Sequence, residues 1–167
     1  MDSAIPSMLI AALLLVAATF MARTGLHSYD QLGASIKATE GRVTAQTSTR
    51  LSITGTSLNS GRDTLTVMLH NDGQTRLASY DKLDVILTYY TSADTRITSW
   101  LPFADSVTAD SWRLMGIQDD VYEPGILNPG ETAQLEIDLG SALQAGKTNL
   151  IVIGSEAGST ISIPFTS

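Results

Sequence analysis

From residue 3 to residue 22 the chain carries no charged side chain, and residues 7–22 read SMLIAALLLVAATFMA, without glycine or proline. Nothing else in the sequence limits the fold as strongly. Twenty uncharged residues wound as a helix are enough to cross ~30 Å of hydrocarbon. A helix apolar on every side must be buried in lipid, in a large core or among other helices. The remaining chain is too small to supply that core. Pro6 falls where a first-turn proline is tolerated, and Ser3 or Ser7 can sit near the cap. A cleavable secretory signal would open with basic residues and stop at a small-residue cleavage site. Here the leading charge is Asp2, and the helical pattern runs on past residue 22.

Beyond Ala22 the pattern becomes amphipathic. Leu26, Tyr29, Leu32 or Gly33, Ile36 and Val43 recur at helical spacing, with Arg23, Asp30, Lys37, Glu40 and Arg42 between them. A helix over residues 7–49 would be roughly 65 Å long at 1.5 Å per residue, so part of it must be covered by other chains or by lipid. Ala18 with Ala22, and Ala34 with Ala38, have the small-xxx-small spacing that lets helix backbones approach closely, although alanine is also simply a good helix former. The residues assigned to helix packing are Met8, Leu9, Ala11, Leu13, Leu14, Val16, Ala18, Phe20, Ala22, Leu26, Tyr29 and Ile36. The nearby positive charges, Arg23 and Lys37, follow the apolar run, which taken literally would hold the rest of the chain inside the cell. A basic leader ahead of position 1, removed on export, would reverse that orientation and is expected.

From Leu51 the period changes to two. Leu51 and Ile53 begin it; Leu65, Val67 and Leu69 alternate with Thr66, Met68 and His70; residues 83–90 form a β-branched and aromatic run. Further strands are predicted over residues 96–101, 112–117, 133–139, 149–153 and 160–165. Asn71-Asp72-Gly73 and Asn128-Pro129-Gly130 are turn signals. The fold class is therefore α+β: a long N-terminal helix over residues 1–49, then an antiparallel Ig-like β-sandwich over residues 50–167. Paired immunoglobulin cysteines are missing, because the chain has no cysteine.

That absence removes thiolate zinc sites and cysteine nucleophiles. The formal net charge of −7 leaves no basic face for nucleic acid. His27 and His70 lie far apart in the pattern, and no G-x-S-x-G, P-loop or H-E-x-x-H motif occurs. Asp105, Asp110, Asp119, Asp120 and Glu123 lack calcium-loop spacing and read as solvated loop charges. Trp100, Trp112, Tyr89, Tyr90 and Tyr122 could form a sugar platform but read as core. No catalysis, cofactor, metal or small-molecule substrate is expected.

Three segments carry a family resemblance. SMLIAALLLVAATFMA resembles the mature N-terminus of archaellins, the type IV pilin-like subunits of the archaellum. ATEGRVTAQTSTRLSITG is similar to their passage from amphipathic helix into the first strand. VMLHNDGQTRL, LDVILTY, Trp112, YEPGILNPGE and NLIVIGSEAG resemble their β-domain and that of the minor archaellum proteins. The resemblance implies a structural subunit of an extracellular, flagellin-like helical polymer for swimming motility. Its partners would be copies of itself, the membrane before assembly, and the archaellum motor and assembly platform. It also implies leader removal by a prepilin-type peptidase. Ile5 stands where pilins usually carry glutamate, which favours the archaellum branch. A minor subunit anchoring the motor to the envelope, a pilus or adhesion filament subunit, and a membrane-anchored receptor are the competing readings.

Overall fold

The structure, a computed structural model, describes residues 4–106 and 108–167, and within the helix it leaves the side chains of residues 4–7, 11, 25–28, 30, 42 and 45 outside that description. Two compact units result, Met1–Val43 and Thr44–Ser167.

Helix α1 spans Ala4–Ser48, 45 residues, which is about 68 Å at 1.5 Å per residue. Alanine, leucine and methionine dominate its first half, and after Pro6 no proline interrupts it. It starts three residues before the expected position, so Pro6 falls within the first turn, where its missing N–H has no intrahelical partner to lose. Asp2 and Ser3 lie outside the described residues.

Eight strands follow: β1 (Leu51–Leu58), β2 (Thr64–Asn71), β3 (Asp84–Tyr90), β4 (Arg96–Leu101), β5 (Ser111–Gln118), β6 (Thr132–Asp138), β7 (Thr148–Gly154) and β8 (Thr160–Thr166). They form two four-stranded sheets, ordered β1-β2-β6-β5 and β4-β3-β7-β8, and every pairing is antiparallel. Successive strand pairs are dealt alternately to the two sheets, so β2 meets β6 and β3 meets β7 only through the fold. Each central strand buries every second residue. Leu65, Val67 and Leu69 thus face Val85, Leu87, Ile151 and Ile153 in one core with Leu135, Ile137 and Trp112. The period-two pattern has its cause here: one face of each sheet is dry and the other wet.

Buried asparagines tie the loops together. Asn71, 1% exposed, donates from Nδ2 to the carbonyls of Thr75 and Leu127 at 2.9 and 3.1 Å, while its Oδ1 accepts from Gly73 N at 3.0 Å. Its backbone meets the second turn: Gly130 N donates to Asn71 O, and Asn71 N to Glu131 O. At Asn128-Pro129-Gly130, Glu131 N closes on Asn128 O and Gly130 has φ +86°, the backbone a type II turn asks of that position. Asn71-Asp72-Gly73 does more than the turn its sequence announces. The strand before it does not fold back into a hairpin there. Gln74 N and Thr75 N instead donate to Ser48 O at 2.8 and 3.3 Å, capping the carbonyl end of the last helical turn.

Candidate assembly surface

The described side chains of α1 present apolar surface to solvent in the single chain. Met8, Leu9, Ile10, Leu13, Leu14, Leu15, Val16, Phe20 and Met21 are all between 57% and 78% exposed. At 100° per residue these positions fall on every side of the helix. Further along, Tyr29, Leu32, Ile36 and Val43 are also exposed and lie within about 60° of the circumference, a single stripe. Of the residues assigned to packing from sequence, Met8, Leu9, Leu13, Leu14, Val16, Ala18, Phe20, Ala22, Tyr29 and Ile36 lie on this exposed surface. Ala11 and Leu26 fall outside the described side chains. Ile10, Leu15, Met21, Leu32 and Val43 belong to the same surface, and the all-round apolar run signalled the first three.

Three threonine hydroxyls on the helix are satisfied within it. Thr19 Oγ1 donates toward the carbonyls of Leu15 and Val16 at 3.0 and 2.8 Å, Thr24 Oγ1 to Phe20 O at 2.8 Å, and Thr39 Oγ1 to Ser35 O at 2.9 Å. Such hydroxyls can enter an apolar bundle without losing a water they depend on. Gly33 and Gly41 leave open space on the helix surface. Among the described residues no helix is long and apolar enough to cross a membrane. The expected span includes residues 3–7 and Ala11, whose side chains are not described.

Elsewhere the geometry offers little for chemistry. Among the described residues no group of histidine and carboxylate side chains is placed to hold a metal. A depression at Ser111, Trp112, Arg113, Glu136 and Asp138 has no room for a water molecule. His70 Nδ1 meets Thr132 Oγ1 at 2.9 Å and its Nε2 lies 3.5 Å from Asp72; His27 lies outside the described side chains. Two of the five acidic loop residues serve local structure: Asp120 Oδ2 accepts from Gly125 N at 2.9 Å, and Glu123 pairs with Arg76 at 2.9 Å. Of the five aromatics read as core, two are exposed and Tyr90 is half-buried under Lys147 Nζ, 5.1 Å from its ring centre. Trp112 is buried edge-on against Phe103, with ring centres 4.9 Å apart, and Tyr89 is buried, but Trp100 is 58% and Tyr122 71% exposed. Trp100 stands on an edge strand and Tyr122 in a loop, where no second layer covers them.

A long helix with bare apolar sides, joined to a self-contained sandwich, defines a subunit built to assemble. The sequence matches the archaeal-type flagellin family over residues 7–165, and the chain belongs to that family. The family is a structural one that forms the extracellular archaellum filament, and this chain is an archaellum subunit. None of the curated proteins matches it. Among solved structures it is similar to the archaellum periplasmic stator protein FlaG from Sulfolobus acidocaldarius, with a TM-score of 0.56 and 22% identity, over 70% of this chain and 99% of that one. The FlaF–FlaG stator complex from the same organism gives 0.54 and 22%, over 70% and 89%. The archaeal flagellum of Methanospirillum hungatei strain JF1 gives 0.52 and 19%, over 99% of this chain and 93% of that one. At these identities the likeness is one of fold.

Proposed function

We propose that this chain is the polymerising subunit of an archaellum filament, with α1 in the filament core and the sandwich in its outer wall. The observation that carries the reading is the all-round exposure of Met8 through Met21. Fully burying one such side chain stabilises by roughly 1.5–3 kcal/mol. Nine of them, already about a third covered, would contribute on the order of 10–20 kcal/mol, which matches or exceeds the ~4–15 kcal/mol that association costs. Leu14, Val16, Ala18 and their neighbours would meet the same surface on adjacent copies. Contacts of that kind do not close on themselves and so extend a helical fibre. Before assembly the helix would rest in the membrane, with a basic leader removed by a prepilin-type peptidase. Lipid and bundle are similarly apolar, so transfer costs little and packing favours the bundle.

A stator role is the second reading, supported by the likeness to FlaG over 70% of the chain. The filament reading is favoured because the family match begins at residue 7 and the filament likeness spans 99% of the chain, helix included. Shearing surface filaments from cells and quantifying this chain by mass spectrometry separates the two. Abundance in the fibre supports the filament subunit; scarcity there, with retention in the membrane, supports the stator.

A further inference from the structure

Four strands lie at sheet edges: β1 and β5 in one sheet, β4 and β8 in the other. An open edge offers unpaired N–H and C=O groups to any passing strand, and folded proteins normally blunt it with bulges, prolines or charge. Three edges here are blunted. β1 shifts register between Ile53 and Gly55, and β5 between Leu114 and Gly116. In β8 the bonds Ser155 N to Ser159 O and Ser167 N to Lys147 O set the alternation. They turn the odd-numbered residues toward β7 and leave Pro164, which has no N–H, on the free edge.

β4 has neither a bulge nor a proline, and its one charge is Arg96 at its first position. It pairs with β3 without a register shift from Arg96 to Leu101 and contains no proline. The bond from Thr91 N to Thr95 O, 2.9 Å, turns Ile97, Ser99 and Leu101 toward β3. The backbone groups of Arg96, Thr98 and Trp100 therefore point outward from the sheet. Ile97 and Trp100 are exposed there. The Trp100 ring is held in place by a bond from Nε1 to Asp84 Oδ1 at 3.0 Å, and Arg96 has no ion-pair partner among the described residues.

We propose that the free edge of β4 is a self-association surface whose partner is β4 of a second copy. The other three edges are bulged or lack a donor, so the regular edge a copy can offer is β4 itself. An antiparallel pair centred on Thr98 places Thr98 opposite Thr98 and Arg96 opposite Trp100 of the second copy. Every outward N–H of residues 96, 98 and 100 then meets a C=O across the two-fold axis. The side chains agree with this register. Thr98 and Trp100 lie on the face opposite the buried Leu101, where Thr98 Oγ1 already meets Thr88 Oγ1 at 2.9 Å. Each unpaired guanidinium would face an indole with the Asp84 carboxylate beside it, a cation–π contact with charge of the right sign. A two-fold contact closes on itself and does not relate the subunits of a helical fibre, so it would pair chains outside the fibre, before assembly.

The test uses the native absence of cysteine. Full-length chain carrying Leu14→Glu, to silence helix-driven polymerisation, is combined with Thr98→Cys or, as control, with Ser162→Cys on the edge blocked by Pro164. Opposed residues of a hydrogen-bonded pair have Cα atoms about 5.5 Å apart, within disulfide range. Under mild oxidation in detergent, Thr98→Cys should form a covalent dimer at least about tenfold faster than Ser162→Cys, because docking raises the effective thiol concentration. Adding Arg96→Glu should abolish that advantage, with circular dichroism confirming that the sandwich remains folded. Equal rates for the two cysteines, or no dimer from Thr98→Cys, would overturn the proposal. So would cross-linking in cell envelopes that joins Thr98→Cys only to a different protein. A normal filament from Leu14→Glu would refute the helix reading and leave the edge result to stand separately.

Discussion

Gly73→Ala should loosen the joint between the last turn of α1 and the sandwich. A Cβ at Gly73 would lie 2.5 Å from both Ser48 O and Arg50 N, and 3.2 Å from Asn71 Oδ1. The two nearest atoms are backbone, so no side chain can swing aside, and relief requires the 71–75 loop to move away from Ser48. That loop supplies the bonds from Gln74 N and Thr75 N to Ser48 O. Losing both costs about 2 kcal/mol at ~1 kcal/mol each, and residual crowding adds about 1–3 kcal/mol. The expected loss is about 3–5 kcal/mol, or a fall in Tm on the order of 10–20 °C for a unit of this size. Gly116→Ala is the control, since its Cβ would meet nothing within 4 Å. Unfolding followed through the fluorescence of the buried Trp112, in full-length protein in detergent, reads both variants. A Gly73→Ala midpoint equal to that of Gly116→Ala would refute the reasoning, because it would mean that the close approach at Ser48 does not hold the loop.

Three further outcomes are expected. Leu14→Glu should abolish filaments, because it puts a charge among apolar neighbours, while the sandwich keeps its wild-type denaturation midpoint; normal fibres seen by electron microscopy would contradict the assembly surface. Burial pushes the Tyr80 hydroxyl up to about 12, with the Asp120 and Glu131 carboxylates adding to the effect. The Leu127 backbone offsets this only partly, as it does not reach hydrogen-bond geometry with the hydroxyl. A folded-state value above the unfolded one means that Tyr80 favours the folded state fully below pH ~10 and loses that contribution as pH rises toward ~12, about 2–3 kcal/mol in all. Tyr80→Phe should flatten that part of the stability profile, and an unchanged slope in alkaline denaturation would count against it. Arg76→Ala removes a solvent-exposed pair with Glu123 and should cost under ~1 kcal/mol in urea unfolding; a loss above ~2 kcal/mol would show that the pair braces the 119–126 loop.

Strand positions were legible because burial alternates along each strand, and alternation is a local property. Leu65, Val67 and Leu69 announce a half-buried strand whatever they face. Which strand they face is not local: the period of β2 says nothing about its pairing with β6, some sixty residues on, so sheet order stayed hidden until the fold was known. Asn71 and Gly73 show a second limit. Both residues favour turns, and that preference masked their other role of capping Ser48 and joining the loop to the Asn128-Pro129-Gly130 turn. Trp100 and Tyr122 show a third, since an aromatic side chain carries the same signal on an open edge as in a core. The candidate surface on α1 was readable for the opposite reason. Residues 7–22 have no polar face, so no orientation of the helix within a chain this small could bury them.

The two units therefore treat water in contrasting ways. The sandwich places its large aliphatic side chains inside, satisfies Asn71, Asn128 and Asn149 with backbone partners, and blunts three of four edges. The helix is unfinished by design: it turns its own hydroxyls inward to carbonyls and leaves leucines, methionines and a phenylalanine bare. Such a surface needs cover in water, and on the proposed reading lipid and then copies of the chain would supply it. On the proposed reading, the division would let one short chain serve both as a membrane passenger and as a building block. If the sandwich shared its core with α1, moving the helix from lipid to bundle would disrupt the head at each addition. With separate cores, the helix can change surroundings while the head stays folded.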